Sequence, residues 1–341
     1  MKRLITTVLL LALMTIWGAS AMARQTPPST QETKPESEAK TQTEPGKSAT
    51  LRRDFKELPI PAGEKLTYEV KFSRFLILNP TVGKVSFEFL GVKPAPLIPG
   101  LNTEFLNTEF KPPETDRFIH LRATAVSDGL LASMFKLTVN DRFETLADAH
   151  DFGARLSFKE IQESKVHSTH TTLFDREKQT AKYIVTDLNK PETPPREKTL
   201  TITDGTLDLL SAFYFVQLQK LKEGEVLRFP VVNDGQQFQF EIVVGKREKL
   251  NTDFGKFNTI KLEPKFFGPG KLLSRTGEMT MWVMDDDCHL PLRLVSKTSV
   301  GTITAALIKA EGLKTETKSK KNSNSELANN IKESCKHKGQ K

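Results

Sequence analysis

The segment Asp204–Gly224, DGTLDLLSAFYFVQLQKLKEG, is the one strong helical pattern in a sequence that otherwise consists of predicted strands and turns. Asp204 is suited to cap the helix, because its carboxylate can accept hydrogen bonds from the free N–H groups of the first turn. Gly224 supplies the stop, since glycine readily adopts the left-handed conformation that ends helices. The pattern predicts a helix over Gly205–Lys222, about 27 Å long at 1.5 Å per residue.

The faces of this predicted helix are unequal. A narrow polar stripe contains four side chains, namely Asp208, Ser211, Gln219 and Lys222. Phe215 falls within that stripe and Gln217 falls within the apolar arc that covers the rest. A helix at the surface of a domain needs an apolar stripe on only about a third of its circumference. We therefore expect a curved sheet to wrap around this helix, which would be the centre of the core.

Most of the remaining chain alternates apolar and polar residues, which is the period of a half-buried strand. Lys65–Phe72 and Val82–Leu90 form a predicted opening hairpin, and Asn233-Asp234-Gly235 is typical of a tight hairpin turn. Further predicted strands, among them Ala132–Val139, follow at short intervals. Because the chain lacks the crossover helices of a parallel sheet, we predict a mainly β fold. It would be a single antiparallel curled sheet, barrel-like or spiral, wrapped around one long central helix.

One stretch, Gly91–Asp116, breaks the strand pattern. It holds five prolines and a local duplication, in which Leu101–Phe105 is repeated as Leu106–Phe110. Proline removes a backbone donor and fixes its own φ angle, so this stretch is predicted to be a long loop or an edge insertion.

The N-terminus has the three parts of a secretory signal peptide. Met1–Arg3 is basic, Leu4–Trp17 is apolar, and Ala21–Ala23 is a small-x-small cleavage site, so the mature chain is predicted to start at Arg24. The alternative is an N-terminal membrane anchor, although the apolar run is short for a spanning helix. No cysteine follows the cleavage site, so a lipid anchor is not expected. The mature protein is predicted to be periplasmic or secreted.

Charge and composition divide the mature chain into three parts. Residues 24–53 are polar and rich in Thr, Pro, Glu and Lys, and are predicted to be a disordered linker. Residues 54–313 form the predicted β domain, and residues 314–341 form a predicted disordered basic tail. The net charge of +8 lies in the signal peptide, linker and tail, which leaves the domain close to neutral. A nucleic-acid-binding domain would carry a basic face, so this class of partner is not expected.

The two cysteines, Cys288 and Cys335, can form a disulfide in an oxidising compartment, or remain two separate thiols. Neither is surrounded by a zinc-ligand pattern. The six histidines are scattered, and Asp285–Asp287 lacks the later glycine and glutamate of a calcium loop. We interpret Asp285–Asp287 as a tight, solvated turn between the strand of Trp282 and the strand that begins at Pro291. No metal and no cofactor are predicted.

The sequence contains no nucleophile elbow, phosphate-binding loop or dinucleotide fingerprint. Ser211 with Asp208 one turn earlier lacks a local histidine, so no catalytic residue is assigned. The chain has 22 Phe but only 3 Tyr and 2 Trp, a balance that suits an apolar core or an apolar ligand. The residues that would line such a core or ligand site are Phe213, Tyr214, Gln217 and Trp282.

Three stretches together resemble the exported bacterial DUF3108 proteins, a family without an assigned activity. They are PAGEKLTYEVKF with the later VGKVSFEF, then DLLSAFYFVQLQKLKEGE, then GEMTMWVMDDDCHLPLRLVSKTSVGTITAAL. The resemblance covers roughly residues 60–312. The pattern is also similar, more loosely, to periplasmic β-spiral proteins of envelope integrity, in which one sheet curls around a long helix. The family has no agreed catalytic residues, so none is carried over to this chain.

Two functions of different class follow from this reading. The first is a non-enzymatic envelope protein that binds a hydrophobic ligand or a protein partner and contributes to envelope maintenance. A purely structural scaffold would leave the same sequence features. The second is an envelope hydrolase or glycan-acting enzyme, which would require converging carboxylates or a nucleophile with its base. The sequence pattern predicts neither arrangement.

Overall fold

The computed structural model describes residues 48–52, 58, 60–73, 79–94, 96–102, 110, 117–129, 138–267, 278–298 and 301–313. These residues form one sheet of fifteen strands and a single short helix. The strands are β1 (Glu64–Ser73), β2 (Thr81–Lys93), β3 (Phe118–Ser127), β4 (Asn140–Asp148), β5 (Ala154–Glu163), β6 (Val166–Asp175), β7 (Thr180–Asp187), β8 (Arg196–Thr201), β9 (Leu207–Asp208), β10 (Val226–Asn233), β11 (Gln236–Thr252), β12 (Gly255–Phe267), β13 (Met279–Met284), β14 (Pro291–Thr298) and β15 (Gly301–Glu311). The helix, α1, spans Leu209–Gln217.

The order of the strands in the sheet is β8 to β1, followed by β15 to β9. Neighbouring strands pair antiparallel, except that β9 and β10 are parallel. The first and last strands therefore lie side by side in the middle of the sheet, with Lys65 opposite Glu311. The two edges, β8 and β9, are consecutive in the chain and are joined by five residues. Such a short link brings the edges close together, so the sheet is curled but not closed.

Buried and more exposed residues alternate along the strands, so one face of the sheet points into the core and the other points outward. In β1 every second residue is buried, and its buried apolar residues belong to the large core cluster around the helix. The outward residues of the same strands form ion pairs across the sheet, such as Lys65 with Glu88 at 2.8 Å. The predicted mainly β, curled antiparallel architecture is thus confirmed. The predicted strand Ala132–Val139 lies outside the described residues, apart from its last two positions.

The prediction of one long central helix is wrong. The helix has 9 residues, and its N-cap is Asp208, whose side chain accepts a hydrogen bond from Ser211 N at 2.8 Å. Asp204 lies before the helix because Leu207 and Asp208 pair with β10 as a short strand. At the other end the chain leaves the helix at Leu218, six residues before Gly224. The carbonyl of Gln217 there accepts a hydrogen bond from His289 Nδ1 at 3.1 Å.

The predicted polar stripe is not a solvent-facing stripe. Ser211 is 0 % exposed and both Asp208 and Gln219 are 2 % exposed, because the sheet surrounds the helix on this side as well. Asp208 also accepts a hydrogen bond from Thr145 of β4 at 2.5 Å. Phe215, which the helical pattern placed among the polar residues, is completely buried.

The described part of the proline-rich segment covers the outer face of the sheet. Ile98 and Leu101 are buried there in a second apolar cluster, together with Phe118, Leu146, Leu156, Phe158 and Leu173. Phe118 lies on the opposite face of β3 from Ile119 and Leu121, which point into the main core. The predicted loop is therefore a cover that gives one region of the sheet a core on both faces.

Candidate functional site at the seam of the sheet

The seam between the two sheet edges is crossed by the turn that joins β10 to β11. Asp234 and Gly235 have φ angles of 47° and 67°, as a tight hairpin turn requires, so the predicted turn is confirmed. Gly235 lies directly against the ring of Tyr183 in β7, where a Cβ atom would come within 2.7 Å of the ring. The β10–β11 turn therefore packs against β7, which belongs to the other half of the sheet.

A buried lysine holds this turn in place. Lys159 of β5 is 7 % exposed, and its ammonium group donates hydrogen bonds to Asn233 and to Asp234, the latter at 2.8 Å. The attraction between Lys159 and Asp234 offsets part of the cost of removing both charges from water. It links strands that are far apart in the order of the sheet, which keeps the sheet curled.

Next to this ion pair lies a histidine that burial keeps neutral. His170 stands directly opposite Lys159 in the ladder, and both burial and the lysine charge lower the pKa of His170 to about 4. Its Nδ1 lies 2.6 Å from the hydroxyl of Tyr183 and its Nε2 lies 3.1 Å from Ser168 Oγ. Burial and Asp234 raise the pKa of Tyr183, so the phenol stays protonated and can donate to the neutral ring. The hydrogen-bonding atoms of the His170 ring are satisfied by Tyr183 and Ser168, which is typical of a structural contact and not of an acid–base catalyst.

One edge of the seam is open. Strand β8 is paired with β7 on one side only, and all of its residues are exposed except Leu200, which is partly buried. Ile202 N donates a hydrogen bond to Gln179 O, next to the β7–β8 ladder. In an antiparallel pair, every second residue of a strand directs its N–H and C=O groups to the neighbouring strand, and the residues between direct theirs away from it. The backbone groups of Glu197, Thr199 and Thr201 therefore point away from β7. Among the described residues, none pairs with this outward row of N–H and C=O groups.

The four predicted lining residues contact neighbouring side chains and backbone groups. Tyr214 is completely buried beside Phe89, with ring centroids 5.9 Å apart, and Gln217 is 4 % exposed with its amide on the carbonyl of Phe213. Phe213 is half-buried and stacks on Phe87 with centroids 4.2 Å apart. Trp282 is half-buried on β13 and donates from its ring N–H to Glu248. Whether these four residues contact a ligand stays a prediction.

The structure brings together two carboxyl groups that the sequence pattern did not. Asp141 and Glu163 lie 22 positions apart in the chain, on β4 and β5, and are 2 % and 6 % exposed. Burial and the neighbouring carboxyl of Asp141 raise the pKa of Glu163, and burial raises the pKa of Asp141. No motif links the two residues, since their meeting depends on the register of a hairpin. Their burial separates them from any large substrate.

A second buried carboxylate lies under the proline-rich cover. Glu144 is 0 % exposed, 2.5 Å from His120 Nε2 and 2.9 Å from Arg122 Nε. Its pKa is lowered because the hydrogen bond from His120 and the charge of Arg122 outweigh the effect of burial. Arg142 Nη2 donates a hydrogen bond to Glu160 Oε2 at 3.0 Å, which extends this network of charged side chains to β5. This cluster fixes the outer face of β3 to β5.

The acidic turn is found where it was predicted, between β13 and β14. Asp286 Oδ1 accepts hydrogen bonds from the backbone of Cys288 at 3.0 Å and His289 at 3.3 Å, so its carboxylate organises the turn. In the part of the chain that the structure describes, no three histidine, cysteine or acidic side chains are grouped to hold a metal ion. Cys288 is buried in this turn, whereas Cys335 lies outside the described residues, so their pairing stays a prediction.

The fold and the seam define the class of protein: a large curled β-sheet that encloses a short helix and whose strand β8 has no partner on its outer side among the described residues. The chain belongs to the family described as "Protein of unknown function (DUF3108)", whose model matches residues 97–308. This confirms the resemblance found in the sequence. No curated protein matches the chain.

The solved structures to which the chain is similar include proteins from three bacteria. A β-barrel-like protein of the DUF1849 family from Brucella abortus is 11 % identical, with a TM-score of 0.45 over 74 % of this chain and 98 % of its own. A presumed exported protein with a YmcC-like fold from Bacteroides fragilis is 8 % identical, with a TM-score of 0.30 over 76 % and 100 %. A presumed lipoprotein from Parabacteroides distasonis is 9 % identical, with a TM-score of 0.31 over 74 % and 98 %. Across the described residues, no helix has the length and apolar character needed to span a membrane.

Proposed function

We propose that the mature chain, starting at Arg24, is an exported, non-enzymatic protein of the cell envelope that binds an extended segment of a partner protein along β8. The observation that carries this proposal is the free row of backbone groups at Glu197, Thr199 and Thr201. An exposed edge strand accepts another strand through main-chain hydrogen bonds, while flanking side chains select the sequence.

The side chains of β8 define the chemistry of this segment. Arg196, Lys198 and Leu200 share one face of the strand, and Leu200 packs against the small apolar cluster at the seam. Opposite charges at neighbouring cross-strand positions stabilise a pair of strands. The partner segment would therefore carry acidic residues at alternate positions facing Arg196 and Lys198. On the other face Glu197 is already paired with Lys182, at 3.3 Å.

The packing of aromatic rings around α1 favours a protein partner over a hydrophobic ligand. Tyr214 and Phe215 are both 0 % exposed, and Phe215 contacts Phe152 and Phe229 with ring centroids 6.4 and 5.5 Å apart. A lipid-like molecule would have to displace these rings. The alternative of a hydrolase has no better support, because the converging carboxyls Asp141 and Glu163 are buried.

The test is photo-cross-linking in cells from a benzophenone amino acid at position 197 of the full chain. We expect one defined adduct, whose cross-linked peptide is extended and carries alternate acidic residues. Thr199→Pro should abolish the adduct, because proline removes an outward N–H that the fold itself does not use. Thr199→Ala keeps that N–H and should retain the adduct, and both variants should keep the melting temperature of the wild type.

Two results would overturn the proposal. One is an adduct that survives Thr199→Pro unchanged. The other is a lipid that copurifies with the protein in native mass spectrometry, which would assign the hydrophobic-ligand role instead.

A further inference from the structure

Three side chains that hold the β10–β11 turn across the seam form a triangle of hydrogen bonds between an amine, an amide and a carboxylate. Lys159 Nζ donates to Asn233 Oδ1 and to Asp234 Oδ1, the latter at 2.8 Å. Asn233 Nδ2 donates to the other carboxylate oxygen, Asp234 Oδ2, at 3.0 Å. One carboxylate therefore contacts both the lysine nitrogen and the amide nitrogen.

This triangle lies where water has little access. Lys159 is 7 % and Asn233 is 9 % exposed, and the side chain of Asp234 is 20 % exposed. Phe143, which is buried, stands directly opposite Lys159 in the neighbouring strand. Val232, the residue before Asn233, is buried in the small apolar cluster at the seam. Fixed and buried groups react as if at a high effective concentration, and competing hydrolysis is limited.

We propose that Lys159 and Asn233 form an isopeptide bond across the seam, with Asp234 as the general acid and base. The lysine nitrogen already lies within hydrogen-bond distance of Asn233 Oδ1. Since Oδ1 is bonded to Cγ, a small rotation brings this nitrogen onto the carbon that it attacks. The ion pair of the structure is the arrangement that precedes the bond.

The reaction exchanges one amide for another and needs no oxidant. Asp234 takes a proton from the lysine ammonium, and the resulting amine attacks Cγ of Asn233. The carboxylic acid so formed gives a proton to Nδ2, and the carboxylate then takes one proton from Nζ. The Nζ–Cγ bond forms, the Cγ–Nδ2 bond breaks, and ammonia leaves with the last proton as ammonium.

The bond closes the sheet covalently where its two halves meet. Lys159 and Asn233 are 74 positions apart in the chain, so a link between them restricts the unfolded state, as a disulfide across a long loop does. Where the bond has formed, Lys159→Met removes it together with the ion pair, and the loss of stability exceeds that of the ion pair alone. This bond is independent of any partner at β8.

Mass spectrometry of the full chain, kept folded near neutral pH, tests the proposal. We expect the wild type to be lighter by one molecule of ammonia, and its tryptic digest to contain residues 156–165 joined to residues 229–246. Lys159→Met should lack this branched peptide and keep its full mass. Asp234→Gly should also lack it, although glycine fits the positive φ of position 234 and preserves the turn.

Lys182→Met is the matched control and should form the bond as the wild type does, because its lysine pairs with Glu197 instead. The branched peptide is decisive, since Asn233 can also lose ammonia by closing on its own backbone to a succinimide. A mass loss that persists in Lys159→Met would assign the loss to that reaction and overturn the proposal. A folded wild type without the branched peptide after prolonged incubation would overturn it as well. A bond that forms equally fast in Asp234→Gly would remove Asp234 from the mechanism and contradict the proposal in that form.

Discussion

At the scale of single residues, Lys159 is the charge that joins the two halves of the sheet. Replacing it by methionine keeps the apolar stem but leaves Asp234 without its counter-charge at the seam. Because the Asp234 side chain is 20 % exposed, we expect Lys159→Met to lower the free energy of unfolding by about 2 kcal/mol, below the range for a fully buried pair. Urea denaturation measures this loss.

Lys182→Met is the matched control for that variant. Its ion pair with Glu197 has side chains that are 31 % and 52 % exposed, so solvent screens it and the loss should stay under about 1 kcal/mol. Equal losses in the two variants would show that the Lys159 contact does not hold the seam.

The carboxyl pair makes stability depend on pH. The pKa of Glu163 is raised to about 8 in the folded protein, from an ordinary value of 4.5, so the folded state binds a proton that the unfolded state releases. That stabilisation is complete below pH 4.5 and is lost as the pH rises to about 8. Glu163→Gln cannot titrate, so the stability of the wild type should fall relative to the variant by on the order of 2 kcal/mol between pH 5 and pH 8.

Denaturation curves of the two proteins at matched pH values test this prediction. Taking the difference between them cancels the titrating groups that are remote from Glu163, including the neutral His170, whose effect has the opposite sign. Asp141 titrates as a pair with Glu163, so the difference reports the pair. Parallel pH profiles would mean that Glu163 is ionised in the folded protein.

Some residue environments could not be inferred from the sequence. The helical pattern placed Gln219 on a polar stripe, yet its amide is satisfied by Arg52, which is 167 positions away in the chain. Asp141 and Glu163 likewise meet only through hairpin register. Local periodicity reports whether a residue is polar, whereas burial of a polar residue depends on a partner that the rest of the fold supplies.

At the scale of elements, α1 is short but central. Phe215 is completely buried between Phe152 and Phe229, so Phe215→Ala should cost about 3–5 kcal/mol of stability. Phe213 is half-buried and should cost clearly less, about 1–2 kcal/mol, because part of its ring already contacts solvent. Chemical denaturation of both variants measures the two losses. A larger loss for Phe213→Ala than for Phe215→Ala would mean that Phe213, and not Phe215, lies on the buried face of the helix.

The strands and the hairpin turn were predictable because their signals are local. Alternation over eight or ten residues predicts a strand, and Asn233-Asp234-Gly235 supplies the turn that only small or polar residues form easily. The helix ends were not predictable in the same way. Leu207 and Asp208 are compatible with a helix, but pairing with β10 draws them into the sheet, and the capping box of Asp208 and Ser211 then starts the helix later.

At the scale of the whole molecule, residues 48–52 attach the chain before β1 to the rest of the domain through Val226 and Gln219. Deleting residues 24–47 should change the melting temperature by no more than about 1 °C, because that stretch has little apolar area to bury. Deleting residues 24–52 should lower it by roughly 3–6 °C, the shift that about 1–2 kcal/mol produces in a domain of this size. Calorimetry distinguishes the two deletions, and identical melting temperatures would show that residues 48–52 add nothing to stability.

The curled sheet around a helix could be predicted from strand number and from the wide apolar arc of the helix. The strand order could not, because pairing between the two ends of the chain leaves no local pattern. The open edge at β8 also follows from this order, since the chain enters the sheet in the middle and both meanders run outward from there.

The pairing of β1 with β15 has a further consequence for how the protein is made. Each arm of the sheet is a meander of local hairpins, but the arms are joined through β15, which is synthesised long after β1. Until that strand emerges, β1 offers an unfilled edge, and the growing chain has two incomplete half-sheets. Formation of the whole sheet therefore requires one long-range closure, and any factor that protects the nascent chain must cover the edge of β1 until β15 has been synthesised.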